Sequence, residues 1–273
     1  MINGEIISRI AFKALIMEVS AYPKPGLVDI VNSGSHTDMN YFTFVNSSVA
    51  ISDYFRDAFN LGLKNYMKDD FDELRELGKA CEKKMYAATN GVNTHKGIIF
   101  SLGLLVYATG IEYRKNNLST DSVIDRVKLL AKGVTKELDK NLDTAGGRQY
   151  TKYGLKGVRE EAEEGFEKAR DIGLYSLKKY LKTSSINDAV VNTLMHFMEV
   201  LEDSNLIKRG GLLGLIYAKE SAKISIELGL MNTDKGRRYI HSLNREFVKR
   251  NLSPGGSADY LILTLYLYFL EEL

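Results

Sequence analysis

Three stretches of this chain concentrate the residue types that bind phosphate, hold a metal ion or move a proton. The first, EVSAYPKPGLVDIVNSGSHTD at residues 18–38, carries Pro23 and Pro25, two of the three prolines in the sequence. Lys24 lies between them, and Asp29, His36 and Asp38 follow. The second, GVNTHKG at residues 91–97, carries His95 and Lys96. The third, LSPGGSAD at residues 252–259, carries Gly255, Gly256 and Ser257. Each precedes a helical pattern. A helix N-terminus presents unpaired N–H groups and a partial positive charge, and a glycine beside it lets the backbone come close to a ligand. Such ends bind phosphate. The three loops are therefore expected to meet at one site.

The cations near these loops are Lys24, Lys96, Arg148, Lys152, Lys156 and Arg159. A polyphosphate needs several, and an arginine can grip it through two parallel N–H bonds. Asp29, His36, Asp38 and His95 are the candidates for proton transfer or metal binding. Mg2+ takes one or two carboxylates together with phosphate oxygens, which Asp29 or Asp38 can supply. Each feature also has a plainer reading. The glycines suit turns and caps, His36 and Asp38 suit an Asx-type turn, and Lys152 and Lys156 suit a solvated face. The run Glu160, Glu161, Glu163, Glu164 opens a helix, where acidic side chains complement the dipole. No P-loop, GxGxxG or HExxH pattern is present.

Composition narrows the class. Hydrophobic residues make up 44% of the 273 and charged residues 26%, the balance of a globular protein with a sizeable core. A formal net charge of +2 argues against a protein built to bind nucleic acid or anionic lipid. The one cysteine, Cys81, excludes an intramolecular disulfide and a multi-cysteine zinc site. The opening MINGEIISRI carries charge early, unlike a signal peptide. The longest apolar run, residues 260–270, falls well short of the ~20 residues that span a bilayer. A cytoplasmic protein is expected.

The elements that must position the loops read as helices. Ile6, Ile10, Ala14 and Met17 fall at helical spacing, and Pro23 and Pro25 end that helix. A second helix is expected over about 40–64 with Val45 and Val49 inward, and a third from Asp69 or Asp70 to Ala88. Others are expected from Ile98 to about Arg114, from Ser119 or Thr120 onward, from Val158 to about Leu181, and from Ser185 through Met198. Gly210 and Gly211 open an apolar helix, residues 234–250 form one with a basic face, and the last is apolar on all sides from Leu261 to Leu270. That gives nine or ten helices and no strand. The expected class is all-α, a single compact domain over residues 1–273, with the link at 143–157 the one candidate boundary.

Taken together, the motifs resemble a known family. EVSAYPKPGLVD followed by NSGSHTDM, then GVNTHKGIIFSLGLL, GLKGVREEAEEGF and LSPGGSADYL, are similar in order to triphosphoribosyl-dephospho-CoA synthase, the CitG family. The segments cover nearly the whole chain. Glu160 departs from the family pattern, which has glycine between the arginine and the glutamate. The resemblance implies an all-α enzyme that transfers the 5-triphosphoribosyl group of ATP to the ribose 2′-hydroxyl of 3′-dephospho-CoA and releases adenine. It implies use of Mg2+ and a product that a separate transferase attaches to an acyl carrier protein of citrate lyase, or of malonate decarboxylase. Lys24, His95, Lys96, Arg148, Arg159, Gly255, Gly256 and Ser257 are then expected to hold the nucleotide. Asp29, His36, Asp38 and Glu161 are expected at the chemistry, with Asp29 and Asp38 also at the metal and Glu18 in reserve. The alternatives are a Mg2+-dependent all-α nucleotide phosphohydrolase, transfer to another nucleotide-like alcohol, and a non-catalytic nucleotide-binding helical protein.

Overall fold

Helices make up all the regular structure among residues 1–137 and 157–273, the residues that the computed structural model describes. They run α1 (Gly4–Ser20), α2 (Tyr41–Lys64), α3 (Asp72–Ala88), α4 (Lys96–Arg114), α5 (Thr120–Leu130), α6 (Val158–Glu163), α7 (Tyr175–Leu181), α8 (Ile186–Val200), α9 (Ser204–Glu227), α10 (Asp234–Lys249) and α11 (Gly255–Glu271). The described residues contain no strand, so the all-α expectation holds. The serines expected as caps serve as caps. Ser119 and Ser122 exchange side-chain and backbone bonds in a capping box before α5, and the Ser185 hydroxyl accepts the Asp188 N–H before α8.

Contacts divide the chain into two compact units. The first comprises Met1–Leu15, Val45–Glu167 and Leu265–Leu273, and the second Ile16–Phe44 and Lys168–Thr264. In the first unit α4 is the central helix, buried almost continuously from Ile98 to Glu112 because it is apolar on every face. Helix α2 crosses it with the two backbones in contact. A Cβ on Gly62 would lie 2.2 Å from the Tyr107 carbonyl oxygen, and one on Gly110 would lie 2.3 Å from that of Phe59. Only glycine fits at either point. In the second unit α8 takes the central place, buried from Asp188 through Met195 and again at Phe197 and Met198.

Three expectations are corrected. Val49 is exposed, and the inward stripe of α2 runs instead through Ser47, Ser48, Ile51, Phe55, Ala58 and Phe59. The small Ser47 on this stripe lets α2 approach the GVNTHKG loop, where it meets Thr94 and His95. The helix expected over 158–181 breaks after Glu163, where Gly165 and Phe166 both adopt positive φ, and resumes through a π turn at Ala169–Leu174. A side chain at position 165 would strike the Ile124 carbonyl oxygen at 2.6 Å. Finally, α9 begins ahead of its glycines, capped by Asp203, and Gly211 (φ 64°, ψ −166°) kinks it internally.

Candidate functional site

In the second unit the structure brings the first and third special loops together. Gly26 sits so close to the Leu252 carbonyl that an added Cβ would lie 2.2 Å from its oxygen, and its φ of 73° also favours glycine. Ser35 Oγ donates to the same carbonyl at 2.6 Å. Asn244 Oδ1 accepts the Gly26 N–H at 3.0 Å, while Asn244 Nδ2 donates to Asn32 Oδ1 at 3.0 Å. Asn187 holds both the N–H and the carbonyl of Tyr22, at 2.9 and 2.7 Å. The proline loop is thus pinned by amide side chains from α8 and α10.

Its charged residues are mostly consumed inside this loop. Asp29, 1% exposed, accepts the N–H groups of Val31 and Asn32 at 2.8 and 2.9 Å and the Asn32 side-chain amide at 3.1 Å on one oxygen. Its other oxygen takes longer contacts from the Lys24 N–H and the Asn32 amide. Lys24, also 1% exposed, is ion-paired with Glu18. Burial pushes the Glu18 carboxyl above its ordinary range, against the pull of Lys24. The Lys24 ammonium neutralises a carboxylate in the interior.

The helix end at Gly255, Gly256 and Ser257 is likewise occupied. Asp203 is buried and accepts the Ser257 N–H at 2.8 Å, the Ser257 hydroxyl at 3.1 Å, and the Asn205 and Leu206 N–H groups at 2.9 and 3.2 Å. One carboxylate caps both α9 and α11. Burial raises its carboxyl above the ordinary range, opposed by backbone N–H groups that include Gly256. A phosphate arriving at this terminus would meet a carboxylate already there, which weighs against the anion-binding expectation for these three residues.

His36 bridges the two loops. Its Nε2 lies 2.9 Å from Ser253 Oγ, and its Nδ1 lies 3.2 Å from Arg209 Nη2 and 3.8 Å from an Asp38 carboxylate oxygen. An arginine only donates, so Nδ1 accepts and the proton sits on Nε2. Burial and the Arg209 charge lower the His36 pKa, with Asp38 opposing. Arg209 also donates to the Ser35 carbonyl at 2.8 Å and to Asn251 Oδ1 at 2.7 Å. Asp38 itself is 59% exposed.

In the first unit, His95 precedes α4 and is 2% exposed. Thr94 donates to Ser47 Oγ at 2.6 Å, and Ser47 Oγ is hydrogen-bonded to His95 Nδ1, 2.7 Å away. Burial lowers the His95 pKa to about 3, which leaves the imidazole neutral. Lys96 follows at the start of α4, exposed and 2.9 Å from Glu82. It lines a cavity of about 300 Å³ between α3 and α4, together with Gly97 and with Arg159 of α6. Phe71, Leu74, Ile99, Phe100 and Leu104 form much of its wall, and Arg75 and Lys79 add two more cations. Lys96 and Arg159, taken from two separate motifs, thus share one pocket. Glu161 is half-buried two residues beyond Arg159, and Arg148 lies outside the described residues.

Arg75, Lys79 and Arg209 were not singled out from the sequence. Arg75, Gly78, Lys79 and Glu82 recur at three- and four-residue spacing, which marks one face of α3. Arg209 carries no such mark. Asp29 and Asp38, the residues named for Mg2+, differ in their surroundings, one buried and one exposed. Both Asp29 oxygens accept loop donors. Among the described residues no three or more His, Cys, Asp or Glu side chains gather as metal ligands. Nor is any described helix long and apolar enough to cross a membrane.

Comparison with known proteins completes the picture. The model of the CitG family, "ATP:dephospho-CoA triphosphoribosyl transferase", matches residues 5–273. The chain is 40% identical over 286 residues to "Protein CitXG" of Leuconostoc mesenteroides subsp. cremoris, covering 98% of this chain and 59% of that protein. It is 38% identical over 287 residues to the "Probable 2-(5''-triphosphoribosyl)-3'-dephosphocoenzyme-A synthase" of Streptococcus pyogenes serotype M49 (strain NZ131), covering 98% of this chain and 97% of that protein. The protein of the same name from serotype M1 matches to the same extent. This chain therefore spans about three fifths of the Leuconostoc protein and nearly all of the streptococcal ones. No solved structure matches it. An all-α chain that carries the four motifs in order and matches this family model almost from end to end belongs to the ATP:dephospho-CoA triphosphoribosyl transferase family.

Proposed function

We propose that this chain transfers the 5-triphosphoribosyl group of ATP to the ribose 2′-hydroxyl of 3′-dephospho-CoA, releasing adenine. The product is the precursor of the prosthetic group of citrate lyase. The observation that carries the proposal is the meeting of Lys96, Gly97 and Arg159 on one cavity. With Arg75 and Lys79 they set cations around an apolar pocket, as a phosphorylated ligand requires. The whole chain, residues 1–273, acts as one functional domain in this proposal. The unbroken family match supports this, as does a chain that passes between the two units at 15/16, 44/45, 167/168 and 264/265.

The bond that breaks is C1′–N9 of ATP, and the bond that forms joins C1′ to the acceptor 2′-oxygen. The transition state has oxocarbenium character, as in glycoside hydrolysis. The hydroxyl proton passes to a carboxylate, and adenine takes up a proton as it leaves. Asp38 is assigned the proton-accepting role because, unlike Asp29, it stands exposed. Glu161, beside Arg159 on α6, is the second candidate. Asp29 and His36 hold the loop that carries Asp38. His95, neutral, offers a hydrogen bond and no charge. Lys24 balances Glu18, and Gly255, Gly256 and Ser257 seat α11 on Asp203.

Mg2+ belongs to the proposal as the counter-ion of the triphosphate and enters with ATP. The product passes to a transferase acting on an acyl carrier protein, in the cytoplasm where its nucleotide substrates reside. Replacing Arg159 or Lys96 by methionine is expected to raise KM for a nucleotide substrate by roughly tenfold, the loss of one charge-assisted bond. Unchanged KM values for both substrates would remove the cavity from the site.

A further inference from the structure

We infer that the cavity of the first unit holds the pantetheine arm of the acceptor and that the base of ATP binds elsewhere. This inference rests on the proposed function and assigns one part of one substrate to one pocket. Three observations lead to it.

First, the described lining carries little that the reaction needs. Among the described residues it contains no histidine, aspartate or serine, and its one carboxylate, Glu82, is paired with Lys96 at 2.9 Å. The bond-breaking step needs a proton acceptor at the 2′-hydroxyl and a donor at the leaving base. Such a lining suits a part of a substrate that does not react.

Second, the wall is hydrocarbon and already satisfied. Phe71, Leu74, Ile99 and Leu104 are buried, and the Tyr54 hydroxyl donates to the Ile99 carbonyl at 3.0 Å. Adenine in this wall would leave ring nitrogens and an amino group unpaired, which is unfavourable. A triphosphate would be worse. The two-carbon thiol end of pantetheine is apolar and suits the deep wall, with the amides and hydroxyl of the arm nearer the charged rim.

Third, the charges sit on the solvent side. Lys79 and Lys96 are exposed and Arg75 and Arg159 are half-buried, while the apolar wall lies deeper. An acceptor with an anionic diphosphate and an apolar tail matches that polarity end for end. At about 300 Å³ the space lies at the small end of ligand pockets, enough for an arm and too small for a whole dinucleotide-sized molecule. Binding of such a remote arm aligns the reacting hydroxyl without taking part in the chemistry.

Gly78 gives a clean test. It lies mid-way along α3 and lines the cavity, and a Cβ there would make ordinary contacts, 3.6 Å to Tyr54 Oη and 3.8 Å to Ile99 Cγ2. Gly78→Leu fills the space and favours the helix. The experiment is calorimetric titration of the full-length wild type and of this variant with dephospho-CoA, 4′-phosphopantetheine and ATP, with circular dichroism to confirm folding. The expected result is at least tenfold weaker binding of the first two to the variant, with the ATP Kd within twofold. Weaker ATP binding with dephospho-CoA unchanged would overturn the assignment, as would no change in any of the three. Adenine release is scored separately. A wild type that shows this binding pattern but releases no adenine would defeat the proposed reaction and leave the pantetheine assignment standing.

Discussion

Arg209 donates to Nδ1 of His36 across 3.2 Å, and this single contact decides what His36 can do. With Nδ1 accepting, the proton is on Nε2 and points to Ser253. His36 therefore acts as a latch between two loops, and Arg209 holds the latch. Replacing Arg209 by glutamine should raise the His36 pKa toward its ordinary value, because the nearby charge adds to the effect of burial. A folded-state pKa below the unfolded one contributes stability above the unfolded value of about 6.5, lost as pH falls. Histidine NMR titration checks the shift, and an unmoved His36 resonance would contradict it. Loss of the loop bonds should cost about 1–3 kcal/mol.

The Glu18–Lys24 pair is buried at both ends. Lys24→Met should destabilise the protein by about 3–5 kcal/mol, since it strands a carboxylate in the interior. Burial already raises the Glu18 carboxyl, and without Lys24 it rises further. A raised carboxyl pKa makes the penalty grow as pH climbs above the unfolded value of about 4.3. Urea unfolding at pH 5 and pH 8 should show the larger loss at pH 8. The double replacement Glu18→Gln with Lys24→Met should be less damaging than either change alone. Equal losses at both pH values would mean that the pair is not buried as described.

His95 gives the acid limb of the stability curve. Its pKa of about 3, held down by burial, lies far below the usual value near 6.5. The unfolded chain binds this proton first, so stability falls as pH drops from 6.5 toward 3, by on the order of 4 kcal/mol from this group. His95→Asn should flatten that part of the curve, measured by denaturant unfolding at stepped pH. An unchanged slope would show that other groups govern acid unfolding.

Asp38 carries the sharpest catalytic expectation. Asp38→Asn keeps the shape and removes the base, so turnover should fall by roughly 10²–10⁴. The residue is exposed, and the folded state should survive with its melting temperature little changed. Asp29→Asn should do the opposite. It weakens the loop that Asp29 organises through Val31 and Asn32, and its effect should appear first as lost stability. Near-normal turnover in Asp38→Asn would pass the role to Glu161.

The helices were legible because their signals are local. Apolar spacing in α1, the wholly apolar α4 and α11, and the caps Ser119 and Ser185 all act within a few residues. The break at Gly165 was not, because its cause is the Ile124 carbonyl on another helix. The site divided in the same way. Lys96 and Arg159 announced themselves by their motifs and do share a cavity, whereas Arg75 and Lys79 belong to an ordinary-looking charged helix face. Spacing alone cannot reveal the buried counter-charges that Lys24 and the Gly255–Ser257 turn meet. Glu18 and Asp203, which satisfy them, are visible only once the chain has folded.

The most direct test of the account is to incubate the purified full-length protein with ATP, Mg2+ and 3′-dephospho-CoA and to follow adenine and the acceptor by chromatography with mass detection. The account predicts that adenine appears only when dephospho-CoA is present, matched one for one by a triphosphoribosyl adduct of the acceptor. Release of phosphate or pyrophosphate without adenine would contradict it and make the chain a phosphohydrolase.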